Sequence, residues 1–317
     1  MSKKPERRRS TAFSGLWRVA ATAPDAESAA AIADAFDELG AVSAFEDKPG
    51  GSWRVEGLSA ETPDRGGIAG RLALAWLNLA GPPPELLWER VPQEDWLVNN
   101  QASFPPLVIG RYFIYGSHHA GGVPPGRIGL LIDAATAFGT GEHATTRGCL
   151  LALDAVTRQM RPAKILDMGT GTGVLAIAAA KTRHRRVVAR DIDAEAARVA
   201  GHNARRNGVA SLVATGRSAG YANRAVISRR PYDLILANIL ARPLTRMARD
   251  LGAALAPGGI AILSGLLTWQ EKDVLAAHRL QGLTLRQRIV IDGWCTLVLA
   301  RGRFRPFRSN NNKRVTP

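Results

Sequence analysis

Asp167, Gly169, Gly171 and Gly173 recur at alternate positions in the stretch Lys164 to Leu175. Lys164 to Met168 reads as a short apolar strand and Thr172 to Lys181 as a helix, so the glycines form the turn between them. Glycine lets that turn take positive φ and lets a ligand lie against bare backbone at a helix N-terminus. Gly171, Gly173 and Ala176 nearly satisfy the dinucleotide turn in its variant ending in alanine, and a purely structural turn would use the same residues. Asp167 shifts the balance. An acid two residues before the first glycine repels a pyrophosphate and suits a ligand carrying positive charge. Asp191 ends the next strand, where an acid accepts hydrogen bonds from ribose hydroxyls. As a helix cap it is less well placed than Asp193. Asn238 follows the strand Asp233 to Ala237. Its amide and the next backbone carbonyl can accept hydrogen bonds from an amine and aim its lone pair; the other reading is a cap for the following helix.

The elements around these residues alternate strand and helix: Lys164–Met168, Thr172–Lys181, Arg186–Arg190, Ala194–Arg206, Leu212–Thr215, Asp233–Ala237, Pro243–Leu255, Ile260–Leu263 and Gln270–Leu280. This rhythm implies a parallel, doubly wound sheet. It closes differently, on an antiparallel hairpin formed by Leu283–Ile291, Gly293 and Trp294–Arg301. Upstream, Leu107–Tyr115 and Arg127–Ile132 read as strands and His143–Val156 as a helix. Asn207–Gly208 reads as a helix C-cap and Ala256 to Gly259 as a turn.

The N-terminal part has another pattern. A strand at Leu16–Ala21 precedes Asp25, an N-cap, and a helix at Ala26–Leu39. Strands at Ala41–Glu46 and Ser52–Leu58 form a hairpin. A helix at Gly67–Leu79 and a strand at Leu86–Val91 complete βαββαβ, the ferredoxin-like α+β arrangement. It carries no convergent polar cluster and reads as a recognition or docking module, with a structural cap as the alternative. The expected division is a basic tail (1–14), the α+β domain (15–92), a linker (93–105), the α/β domain (106–304) and a second basic tail (305–317).

The chain has 317 residues, 46% of them apolar and 22% charged, enough for an ordinary globular core. No apolar run is long enough to span a bilayer and no secretory signal is visible. Cys149 and Cys295 fit no metal or redox spacing, which suits a reducing cytosol. His118, His119, His184, His202 and His278 form no ligand spacing, so no metal is implied. The formal charge is +15. Lys3, Lys4, Arg7, Arg8 and Arg9 cluster at one end, and Arg301, Arg303, Arg305, Arg308, Lys313 and Arg314 at the other. Both ends read as disordered tails, either attracted to a ribosomal particle or rRNA or simply solubilising.

The Asp167 to Gly173 motif resembles the D-x-G-x-G-x-G of class I methyltransferases, which bind the sulfonium and ammonium of S-adenosylmethionine. Together with Phe138 to Arg147, Asp191–Ile–Asp193 and Ala237–Asn–Ile–Leu–Ala241, the chain resembles the PrmA-type protein methyltransferases over nearly all of residues 16 to 303. The resemblance includes Asp95–Trp96 and Trp294–Cys295. It implies a monomeric cytoplasmic enzyme that methylates amino groups, lysine ε-amino or N-terminal α-amino, of large-subunit ribosomal protein eleven. It places cofactor contacts at Thr146, Gly169, Asp191 and Asn238, with Thr146 at the methionine end; Asp167 and Gly171 complete the cofactor set. Asn238 positions the amine. Departures are Glu142 and Ala144 in the loop, where the family has Thr-His-Pro-Thr-Thr, and Arg190, where it has a small or apolar residue. His143 reads as a base or as a structural residue. Arg217 to Tyr221 lacks the acid that many relatives place near the adenine. Two rivals stand beside this reading. An RNA or DNA amino-methyltransferase is favoured by the charge and by Asn238, but Pro-Pro-Tyr after the Asn is missing. A non-enzymatic ribosome-binding module leaves Asp167, the glycines and Asp191 without a purpose.

Overall fold

A computed structural model describes residues 15–39, 41–46, 51–59, 61–92, 106–132 and 144–302. It divides into two compact units, residues 1–100 and 101–317.

The first unit contains β1 (Gly15–Ala23), α1 (Ala26–Ala35), β2 (Ala41–Glu46), β3 (Trp53–Ser59), α2 (Arg65–Ala75) and β4 (Leu87–Pro92). The sheet order is β2-β3-β1-β4, antiparallel throughout. The two helices are set by their caps: the carboxylate of Asp25 accepts from the Ser28 N–H at 2.7 Å, and that of Asp64 from the Gly67 N–H at 3.1 Å. Asp64 explains why α2 starts two residues before the expected Gly67. Alternation along β1 puts Val19, Ala21 and Ala23 into a core with Ile32, Phe36, Ile68 and Leu72. Arg18, on the other face, pairs with Glu56 and Glu89. Beside the core, Arg65 stacks over Trp17 and Trp88 at 5.5 and 5.0 Å, and Arg90 over Trp17 at 4.7 Å.

The second unit opens with a small sheet of β5 (Leu107–Ile109), β6 (Tyr112–Tyr115) and β7 (Ile128–Leu131), in the order β5-β6-β7. The continuous strand expected over 107–115 is broken at Gly110, which has φ 55°. A Cβ there would lie 2.7 Å from Asp154 Oδ2, and the next residue, Arg111, donates to the same carboxylate. That ion pair turns the chain back on itself.

Then follow α3 (Ala144–Gln159), β8 (Ile165–Met168), α4 (Val174–Arg183), β9 (Val187–Asp191), α5 (Ala194–Arg206), β10 (Val213–Arg217), α6 (Arg224–Ile227), β11 (Tyr232–Asn238), α7 (Ala241–Arg246), α8 (Ala248–Ala254), β12 (Leu255–Leu267), α9 (Glu271–Arg279), β13 (Leu283–Ile291) and β14 (Trp294–Arg301). The seven-stranded sheet runs β10-β9-β8-β11-β12-β14-β13. Its first five strands are parallel, and β14 and β13 form the expected antiparallel ending. Each face buries its own core: Ile165, Leu234 and Ile262 on one side, Leu166, Ile235 and Leu263 on the other. A fully buried Leu or Ile contributes about 1.5–3 kcal/mol, so the central strands anchor the unit. The single helix expected over 243–255 is two, α7 and α8, meeting at Met247. The Ala256–Gly259 turn lies within β12, where pairing with β11 jumps from Tyr232–Leu255 to Leu234–Ile260. Among the described residues no helix is long and apolar enough to cross a membrane.

A candidate cofactor site at the carboxyl edge of the sheet

β9, β8 and β11 are adjacent and parallel, so Asp191, the turn after Met168 and Asn238 emerge at one edge. The glycine turn is held by Gly169 and Thr170, whose N–H groups both donate to the Arg190 carbonyl at 2.8 and 3.0 Å. Gly169, Gly171 and Gly173 all have positive φ, at 74°, 52° and 85°, a conformation that side chains resist. Gly173 also begins α4 against α5, where a Cβ would lie 3.1 Å from Ala200 Cα.

Asp167 lies beneath this turn, 1% exposed. Its Oδ2 accepts from Thr170 Oγ1 at 2.6 Å and from the Ala176 N–H at 3.1 Å. Its Oδ1 is buried without a partner. Burial pushes the carboxyl up to about 7; the two hydrogen bonds oppose that shift and the nearby Asp191 adds to it. Asp191 Oδ2 accepts from the Gly171 N–H at 2.8 Å and Oδ1 from the Asp193 N–H at 3.0 Å. Each oxygen keeps a lone pair for a further donor. The helix-capping role belongs to Asp193, which accepts from Glu195 and Ala196. Directly after Asp191, Ile192 is 67% exposed and offers an apolar surface at the rim.

Asn238 Nδ2 donates to Thr146 Oγ1 at 3.4 Å. Thr146 is fully buried on α3, and Asn238 Oδ1 is buried without a partner. Asn238 does not cap the following helix: the cap of α7 is Leu240, with no side-chain bond. The structure therefore gathers Thr146, Asp167, Gly169, Gly171, Asp191 and Asn238 at one edge. His143, Glu142 and Asp95–Trp96 lie outside the described residues.

Two contributors had no sequence signal that singled them out. Gly265, with φ 90°, lets β12 press against the chain after Asn238, where a Cβ would lie 2.3 Å from the Ile239 carbonyl oxygen. Ser264, fully buried, pairs with Thr296 Oγ1 at 2.7 Å and donates to the Cys295 carbonyl at 3.2 Å. Arg190, the departure from the family, is 8% exposed and donates to the Ala214 carbonyl at 3.3 Å. Gly216 leaves it room, since a Cβ there would lie 2.4 Å from the guanidinium.

The family model described as Ribosomal protein L11 methyltransferase (PrmA) matches residues 23–302. The chain belongs to this family. Among its relatives, the Ribosomal protein L11 methyltransferase of Rhodopseudomonas palustris is 42% identical over 272 residues, 85% of this chain and 91% of the relative. That of a Caulobacter species is 41% identical over 280 residues, 87% of this chain and 94% of the relative. A crystal structure of ribosomal protein L11 methylase from Lactobacillus delbrueckii subsp. bulgaricus is 28% identical, with a TM-score of 0.57, covering 63% of this chain and all of that one. As a family member the chain is an S-adenosylmethionine-dependent protein methyltransferase. The edge fits such a cofactor. A buried acid with a free oxygen suits a cation, and a carboxylate with lone pairs to spare suits a diol.

Proposed function

We propose that this enzyme transfers methyl groups from S-adenosylmethionine to amino groups of large-subunit ribosomal protein eleven, lysine ε-amino or N-terminal α-amino. The substrate follows from the family's description. The observation that carries the chemistry is the pair of buried, unpartnered acceptors, Asp167 Oδ1 and Asn238 Oδ1, on neighbouring strands. When bound, the cofactor supplies a methyl carbon already activated by its sulfonium. The protein's task is then to bind, orient and align. Asp167 would hold the positive charge, the Gly169 and Gly171 turn would let the backbone approach, Asp191 would accept from the ribose diol, and the exposed Ile192 beside it would supply an apolar surface for the base. Thr146 would contact the methionine end. Asn238 accepts from the incoming amine, which must be neutral to have a lone pair; its proton leaves to solvent.

In the same reading the N-terminal α+β domain, 15–92, recognises the substrate and a linker over 93–105 joins it to the catalytic domain. The enzyme acts as a cytoplasmic monomer, and its basic tails attract the ribosome or rRNA. Incubation with labelled S-adenosylmethionine and either purified ribosomal protein eleven or stripped rRNA tests the central claim. Label is expected in the protein. Label in the RNA alone would overturn it in favour of an RNA amino-methyltransferase.

Asp191→Ala removes the ribose acceptor. Hydrogen bonds to a charged group contribute roughly 1.5–3 kcal/mol, so affinity for S-adenosylmethionine should fall about tenfold to a hundredfold. Calorimetry on the folded variant checks this, and unchanged affinity removes Asp191 from the site.

A pH dependence follows from Asp167. Its carboxyl in the free protein sits near 7, above the ordinary 3.8. In the folded protein this group therefore stabilises most below its ordinary value, and that contribution is lost as pH rises through about 7. A cofactor cation favours the ionised form, so binding has the opposite sign. Affinity should drop about tenfold between roughly pH 8 and pH 6, with proton release on binding near pH 7. In Asp167→Asn the slope should vanish. A wild-type affinity flat across this range would show that the cofactor's charge does not meet Asp167.

A further inference from the structure

The edge of the parallel sheet opposite the cofactor site is basic. Arg161 and Lys164 precede β8, Arg185 and Arg186 precede β9, Arg229 precedes β11, and Arg205 lies in the last turn of α5, which leads to β10. All six are exposed. Because β10, β9, β8 and β11 are neighbours and parallel, their entries share one edge. Backbone bonds tie the entries together, from Val187 N–H to the Leu212 carbonyl at 2.8 Å and from Asp233 N–H to the Lys164 carbonyl at 2.9 Å. With strands about 4.8 Å apart, the band extends roughly 15 Å.

Among the described residues two acids lie nearby, one ion-paired and one bound only by backbone N–H groups, which leaves it a single negative charge among six positive ones. Asp154 is held by Arg111 and Arg158, and Asp233 Oδ2 accepts from the Ala163 and Lys164 N–H groups at 2.8 and 3.0 Å. None of the six basic residues forms an ion pair with a described carboxylate. Complementing helix dipoles accounts for Arg205 but not for Arg161, Lys164, Arg185 or Arg186. These lie beyond the ends of α3 and α4, and the dipole's effect is confined to the last turn. The opposite edge is mixed in charge, with Asp167, Asp191, Asp193 and a Glu195 paired to Arg198, and with Arg217 at the end of β10. β14 runs antiparallel to β12 and ends at this basic edge, where Arg301 donates to the Leu255 carbonyl.

We propose that this amino edge is a binding surface for the phosphate backbone of RNA, built into the fold and separate from the methyl-transfer site. Five of its six cations are arginines, whose planar fork matches phosphate oxygens. Recognition is by charge and independent of sequence. This inference stands without the assignment of the methylated substrate.

The test uses the full chain, a fluorescein-labelled single-stranded RNA of mixed sequence and anisotropy over a salt series. Each phosphate neutralised on a single strand contributes about 0.7 to the slope of log K against log salt. Replacing Arg161, Arg185, Arg186 and Arg229 with Gln should lower the slope by about 3 and weaken binding at least about tenfold at low salt. Replacing the same four with Lys should leave the slope unchanged. S-adenosylmethionine affinity of both variants, measured by calorimetry, reports that the fold is intact. If the four-fold Gln variant does not fold, Arg185→Gln with Arg186→Gln, both in an exposed loop, should give about half the slope change. Wild-type affinity and slope in the Gln variants would overturn the proposal, as would an RNA affinity that polyglutamate competes away as effectively as unlabelled RNA.

Discussion

Replacing Asn238 with alanine should lower the turnover of methyl transfer by about a hundredfold or more, while S-adenosylmethionine affinity changes only a few-fold. Asn238 Nδ2 is engaged by Thr146 at 3.4 Å, which leaves Oδ1 buried and unpartnered at the carboxyl edge, where the proposed reaction brings the amine. An acceptor so placed costs nothing to organise when the amine binds. Loss of one preorganised polar group at a reacting centre typically costs about 10²–10³ in kcat. A misplacement of about 1 Å alone costs about a hundredfold. The effect should therefore fall on kcat rather than on cofactor binding. Single-turnover kinetics with calorimetry separates the two quantities. Wild-type turnover in the variant would mean that Asn238 only packs the edge. A proportional loss of affinity would make it a cofactor ligand alone.

The parts of this site that were legible in the sequence are those written in consecutive residues. Asp167, the three glycines and the apolar residues on both sides specify strand, turn and helix locally, and the structure has them so. Asp25 and the βαββαβ order were legible for the same reason, since a cap and a periodicity are local signals. The unread parts depend on contacts between distant segments. Gly110 breaks a strand because Asp154, forty-four residues on, takes Arg111. Thr146 meets Asn238 across 92 residues. The role of Gly265 comes from the Ile239 backbone lying against it, which an apolar strand pattern does not encode. The division of the helix after Asn238 at Met247 likewise has no proline or glycine at the break to announce it. Charge behaved in the same way. The tails stood out as runs, whereas the basic edge is assembled from two pairs and two single residues scattered over nearly seventy positions and exists only once four strands are set side by side.

Removing the N-terminal unit should abolish methylation of ribosomal protein eleven while leaving cofactor binding intact. The first unit, within residues 1–100, contains none of the residues gathered at the carboxyl edge. It has its own core around Val19, Phe36, Ile68 and Leu72, so deleting it leaves the core of the second unit untouched. A chain beginning near Asp95 retains β5 onward and the whole seven-stranded sheet. Its affinity for S-adenosylmethionine should stay within a few-fold of the full enzyme, because Asp167, Asp191 and Asn238 keep their partners. Its activity on ribosomal protein eleven should fall by orders of magnitude, because proximity of the target amine to the methyl carbon is worth several kcal/mol of barrier and depends on holding the substrate. Calorimetry for the cofactor and a labelling assay for the protein give the two readouts. Undiminished labelling by the shortened chain would show that the catalytic unit selects its own substrate. Loss of cofactor binding as well would show that the second unit needs the first to fold, which the separate cores argue against.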